Sequence, residues 1–153
     1  MNQIQVLDYK PELQSYFEDI NKQWIADFFA LEEFDRLQLE KPEEYIISKG
    51  GTIIFAQEND KVLGTVALSK VGEGIYEMIK MGVSPEARGK RLGYFLGQQI
   101  LEKAKQMGAQ KVILYTNSKL GPALSLYKKL GFKETEKECG KYDRCDIKME
   151  IKL

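Results

Sequence analysis

Apolar positions recur along the chain in two rhythms, and each predicts its own kind of element. Ile4 to Leu7 is a short apolar-rich run that predicts a strand. After Pro11, Leu13, Phe17, Ile20, Trp24, Phe28 and Leu31 recur at steps of three and four, which stacks them on one helix face. Glu32 to Glu44 is acidic and broken by Pro42, and reads as a short second helix or a loop. Thr52 to Gln57 and Lys61 to Ser69 read as strands joined at Glu58-Asn59-Asp60 in a hairpin. A glycine-bearing turn, Val71-Gly72-Glu73-Gly74, leads to a third strand, Ile75 to Val83. Leu92, Leu96, Ile100 and Ala104 repeat every four residues and predict a helix, with Gly108 where a left-handed C-terminal residue belongs. Lys111 to Thr116 is a short strand. Pro122 suits a first helical turn, Leu126 and Leu130 share a face, and Gly131 ends that helix. Phe132 to Thr135 and Asp146 to Lys152 read as two final strands. This order predicts an α/β chain with a mixed sheet rather than a regular βαβ repeat.

Composition narrows the chemistry. The 153 residues fit one domain, 1–153, able to bury its own core. Lys+Arg and Asp+Glu both number 23, and a balanced chain is a poor nucleic-acid binder. There is no histidine. That excludes Ser/His/Asp and Cys/His triads and the H-E-x-x-H zinc site. Acid–base work falls to Glu, Asp, Tyr, Lys, Cys or water. Cys139 and Cys145 stand six apart, match no C-x-x-C pattern and have no histidine to complete a site, so no metal is expected. They are expected as free thiols of a reducing compartment. No leader pattern follows Met1, and no apolar run approaches the ~18 residues of a membrane span, so the expectation is a cytoplasmic protein with no membrane partner.

Chemistry concentrates in Ser84-Pro85-Glu86-Ala87-Arg88-Gly89-Lys90-Arg91-Leu92-Gly93, which runs from strand to loop to helix start. A helix start leaves about four N–H groups without intrahelical partners and carries the positive end of the dipole. Gly89 lets backbone approach a ligand, and Gly93 leaves room for one or for tight packing. Arg88, Lys90 and Arg91 add cations. Together these suit a pyrophosphate; a basic, solvated loop before an ordinary amphipathic helix is the plainer alternative. Walker A fails, because Ser84 stands where its first glycine should be and Arg91 where Ser or Thr should be. The dinucleotide fingerprint fails as well, since Gly72 and Gly74 are followed by Glu77 rather than glycine.

Val83 to Gly93 resembles the acetyl-CoA-binding motif of the GNAT superfamily of N-acetyltransferases. That motif reads Arg or Gln, two residues, Gly, one residue, then Gly or Ala. Arg88 fills its first position and Gly93 its last, while Arg91 stands where the family usually has glycine. A second block agrees: Asn117 follows a short strand, and Ala123 to Phe132 is similar to the family's second cofactor element. The order of elements also matches from about Ile4 to Leu153.

The resemblance implies a mixed, mostly antiparallel twisted sheet of about seven strands flanked by about four helices, whose fourth and fifth strands splay apart. It implies acetyl-CoA as acetyl donor. The backbone of Met81, Gly82 and Val83 would hold the pantetheine arm, and Asn117 would hydrogen-bond it. The N–H groups of Arg88, Gly89, Lys90, Arg91, Leu92, Gly93 and Tyr94 would hold the pyrophosphate. Tyr127 matches the family's tyrosine and would protonate the departing thiolate; a core aromatic is its other reading. Glu77, in an otherwise apolar strand on the parity of Ile79 and Met81, would be the base, since burial favours the neutral form of a carboxyl. Its plainer reading is a structural carboxylate paired with Lys80 or another cation. Glu32 and Glu33 are rivals as base, and Trp24, Phe28 and Phe29 would line the acceptor wall or simply join the core. The acceptor would be a small-molecule or protein amine, and the family implies a homodimer. The acidic run Glu32, Glu33, Asp35, Glu40, Glu43 and Glu44 would steer a cationic acceptor or serve as a solvated face. A non-catalytic acyl-CoA-binding module would need the loop but neither Tyr127 nor Glu77.

Overall fold

The computed structural model describes residues 4–89, 91–135 and 147–153. Strand β1 (Ile4–Asp8) leads through a 3-10 turn at Pro11–Leu13 into helices α1 (Gln14–Phe28) and α2 (Glu33–Glu40). A π-helical turn at Glu43–Ile47 precedes β2 (Thr52–Glu58), β3 (Lys61–Gly72) and β4 (Ile75–Val83). Then come α3 (Leu92–Gln106), β5 (Lys111–Thr116), α4 (Gly121–Leu130), β6 (Lys133–Thr135) and β7 (Ile147–Lys152). The acidic segment read as helix or loop is therefore mostly helix. Leu31 lies beyond the end of α1 but packs on the α1-side core. Cys139 and Cys145 lie outside the described residues.

The strands form one sheet in the order β1-β2-β3-β4-β5-β7-β6. Every pairing is antiparallel except β4 with β5. Side chains alternate between two cores, as the pleat requires. Ile54, Val66, Leu68, Tyr76 and Met78 face α3, where Leu92, Leu96, Ile100 and Ala104 are all buried. Ile53, Phe55, Ala67 and Ile79 face Phe17, Ile20, Ile25 and Leu39 of α1 and α2. The α3 residues read at helical spacing are thus an inward stripe, and Leu13, Phe17, Ile20 and Trp24 pack inward on the other face.

Two irregularities in β4 shape the site. Its pairing with β5 covers only Ile75, Tyr76 and Glu77, opposite Lys111, Val112 and Ile113. β5 pairs with β7 on its other edge along its whole length, and beyond Glu77 the β5-facing edge of β4 pairs with no strand among the described residues. The second irregularity is a bulge. Ala67 pairs with Ile79 and Thr65 with Gly82, so β4 spends one residue more than β3 over this stretch. Lys80 absorbs the excess with a left-handed φ of 55°. The bulge also overturns a parity expectation. Met81 packs with the α3-side core, not on the Glu77–Ile79 face, because the extra residue shifts the alternation by one.

Candidate active site

The turn between β4 and α3 is built from main chain. Ser84 N–H donates to Leu63 O at 2.8 Å, a 3-10 turn spans Pro85–Ala87, and Arg88 continues extended. Gly89 follows at φ 85°, where an added Cβ would meet nothing within 4 Å. Arg91 begins α3 at φ 58°, ψ 24°. The position where the resembled motif prefers glycine therefore does use a left-handed backbone, at a cost of roughly 1–2 kcal/mol for a residue with a Cβ. No side chain caps α3, so its first-turn amides face outward at the positive end of the helix. Arg88 and Arg91 are exposed beside them. Lys90 lies outside the described residues.

Glycine also brings α4 close to α3. A Cβ at Gly97 would sit 2.3 Å from Leu130 Cδ1, and one at Gly93 would sit 3.1 Å from Leu126 Cδ2 and 3.8 Å from Met81 Sδ. Gly93 thus supports a contact among helix, helix and strand at the turn between β4 and α3.

Where β4 leaves β5, a cleft of about 170 Å³ opens. Glu77, Met78, Ile79, Lys80 and Met81 line it from β4, and Leu114, Tyr115 and Thr116 from β5. Asn117, Leu120, Ala123 and Tyr127 close one side, Trp24 and Phe29 the other. The structure therefore brings Glu77, Met81, Asn117 and Tyr127 together. Gly82 and Val83 continue the same strand away from it, toward the α3 turn. Glu32 and Glu33 are not among the lining residues: Glu32 caps α2, and Glu33 pairs with Arg36 at 2.8 Å. The fate of Phe28 in the wall lies outside what is described of its side chain.

Each lining group has a defined setting. Tyr127 meets the Phe132 ring edge-on, with centroids 6.2 Å apart. Its hydroxyl has no hydrogen-bond partner among the described residues. Burial pushes its phenol up to about 12. Asn117 Oδ1 accepts from Lys119 N–H at 2.8 Å and its carbonyl from Leu120 N–H at 2.9 Å, which turns the chain from β5 into α4. Glu77 is 2% exposed.

Lys80, weighed above as a partner for Glu77, donates its ammonium to Asp35 Oδ1. Their side chains are 3% and 0% exposed. Asp35 also accepts from Glu32 N–H at 3.1 Å, which closes the capping box of α2. The acidic run is largely engaged within the fold. Besides Asp35, Glu40 meets Lys22 at 2.8 Å and Glu43 accepts from Tyr9 at 3.2 Å. The sequence reading missed the Asp35–Lys80 pair. Its only visible signal was a lysine inside an apolar strand, and nothing in the pattern points to a partner 45 residues away.

Among the described residues no cluster of His, Cys, Asp or Glu could hold a metal ion, and no helix is long and apolar enough to cross a membrane. Residues 13–132 match the model of the Acetyltransferase (GNAT) family. An uncharacterised N-acetyltransferase of Schizosaccharomyces pombe is 30% identical over 130 residues, covering 84% of this chain and 77% of that one. Other curated relatives are longer, and the chain spans 21% to 48% of their length. A GNAT-family acetyltransferase of Staphylococcus aureus superposes with a TM-score of 0.88 at 19% identity, over 99% of both chains. The PaiA N-acetyltransferase of Thermoplasma acidophilum, solved in complex with coenzyme A, superposes with a TM-score of 0.78 at 19% identity, also over 99% of both. The chain belongs to the GNAT family of acetyl-CoA-dependent N-acetyltransferases.

Proposed function

We propose that the chain, as one domain over residues 1–153, moves an acetyl group from acetyl-CoA to a primary amine by direct attack. The observation that carries this reading is the parting of β4 from β5, with Glu77 and Tyr127 lining the same opening. Acetyl-CoA supplies the activated thioester. The residues present fit it: a strand edge that pairs with no strand among the described residues, an uncapped helix start, and an open glycine directly after Arg88. In this reading the main chain of Met81, Gly82 and Val83 holds the pantetheine arm as an added strand would be held. Amides of the Arg88–Tyr94 turn bind the pyrophosphate, and Asn117 orients the arm from the β5 side.

Glu77 takes the proton that the acceptor ammonium must lose before it can attack. A backbone N–H at the β4 bulge faces the carbonyl oxygen as negative charge builds there. Tyr127 serves the leaving sulfur. Its phenol is pushed up to about 12, whereas a thiol titrates near about 8.5, judged by cysteine. Complete transfer from phenol to thiolate is therefore uphill. Tyr127 acts mainly by donating a hydrogen bond to the sulfur as it gains charge, and it remains a donor across the neutral and mildly alkaline range. The test is release of free thiol from acetyl-CoA in the presence of an amine panel. Thiol release that depends on amine supports acetyl transfer. Coenzyme A binding without turnover on any amine contradicts it and favours a binding module.

A further inference from the structure

We infer that Asp35 is a positioning residue for acetyl transfer: by holding the Lys80 ammonium it fixes the β4 bulge whose main chain faces the thioester carbonyl. The inference rests on the acetyl-transfer reading above, in which a bulge N–H meets the developing oxyanion. The bulge is the strained point of β4. Lys80 and Met81 share the place opposite Val66, between the Ile79–Ala67 and Gly82–Thr65 pairs. Lys80 takes up the excess at φ 55°, a conformation that a residue with a Cβ keeps only where its surroundings impose it. Beyond Glu77 the β5-facing edge of β4 pairs with no strand among the described residues, so no ladder on that side holds the bulge.

The restraint comes from the α1 face instead. The Lys80 ammonium donates to Asp35 Oδ1, and both side chains are buried. Asp35 is itself fixed, at the third position of α2, where it accepts from Glu32 N–H at 3.1 Å. Two residues after Lys80, α1 sits directly on the strand. A Cβ on Gly82 would lie 2.9 Å from Ile20 Cγ2 and 3.0 Å from Trp24 Cδ1. The indole N–H of Trp24 donates to Asn21 Oδ1 at 2.8 Å, which keeps the ring there. The strand is thus pinned to α2 at Lys80 and to α1 at Gly82, while Lys80 and Met81 also line the cleft. A buried ion pair adds little net stability over an apolar pair of similar volume, so stability alone does not call for one here. What the pair adds is direction: a long side chain is drawn to one acceptor, and the backbone that carries it is turned to suit.

Asp35→Asn combined with Lys80→Met, in the full chain, tests this. The asparagine keeps an oxygen for Glu32 N–H, and neither charge of the pair is left buried alone. The double variant is expected to lose at least tenfold in kcat for amine-dependent thiol release, with the coenzyme A dissociation constant changed less than threefold. The carbonyl stretch of bound, carbonyl-labelled acetyl-CoA, read by infrared difference spectroscopy, should lie below its free value in the wild type and return toward it in the double variant. An unshifted band in the wild type overturns the bulge donor of the acetyl-transfer reading, and this inference with it. A shift that survives in the double variant, whatever its kcat, overturns the inference alone. Lys80→Arg, which keeps a cation for Asp35, is expected to retain at least a third of kcat; a loss as deep as the double variant's removes the ion pair from the account. The wild-type chain reads the claim without any variant: the Cα and Cβ chemical shifts of Lys80 should be those of left-handed backbone, and extended values overturn it.

Discussion

The two faces of the sheet are built by different means. On the α3 side the site is main chain: left-handed Gly89 and Arg91, an uncapped helix start, and glycines that let α4 approach. On the α1 side it is side chain: Lys80 with Asp35, and Trp24 with Asn21. Main-chain recognition accepts nearly any side chain, so it is compact in sequence and indifferent to most substitutions. Side-chain recognition is assembled from distant positions, and each member depends on its partner.

The largest expected effect lies on the α1 side. Asp35→Asn leaves a buried ammonium without its counter-charge and should cost about 3–5 kcal/mol in urea unfolding. The exposed Arg88, changed to Ala, should stay within about 0.5 kcal/mol. Similar losses for the two would erase the contrast between the faces. Next, Tyr127→Phe should lower kcat by about a hundredfold or more and leave the coenzyme A dissociation constant within about twofold. Its pH behaviour sharpens this. With the phenol at about 12, Tyr127 stays protonated well past neutrality, so kcat should show no loss from it between pH 8 and 10. A raised value means that the folded state holds the proton more tightly. The stability it adds is fully present below the unfolded phenol's value near about 10 and is lost as pH rises toward about 12. A thermal-melt series in alkali, compared with Tyr127→Phe, reads that loss.

Gly93→Val forces a side chain against Leu126 and Met81 beside the turn proposed to bind the pyrophosphate. It should weaken coenzyme A binding about tenfold by titration calorimetry, and unchanged affinity would separate Gly93 from the turn. The smallest effect is expected from Arg91→Gly. It relieves a left-handed backbone but gives the unfolded chain more freedom, so the net gain in stability should be under about 1 kcal/mol. Loss of the cation should also flatten the salt dependence of coenzyme A binding.

This division explains what the sequence revealed. Periodicity exposed the inward stripes of α1 and α3 because burial imposes it on consecutive turns of one element. Gly108 and Gly131 marked helix ends because both residues are left-handed, at φ 86° and 106°. The candidate phosphate turn was legible because its parts, Ser84 to Gly93, lie within ten residues. The β4 bulge was not, since a one-residue excess relative to β3 leaves no trace in either strand's own pattern. The Met81 parity expectation failed at that bulge. Asp35 read as one acid in a run, because its partner is fixed by tertiary packing alone.

The most direct test of the account is a coenzyme A titration followed by backbone amide shifts. Docking along the free edge of β4 and across the start of α3 predicts the largest changes at Met81, Gly82, Val83 and the Arg88–Tyr94 turn. Saturable binding that leaves those amides unmoved would contradict it.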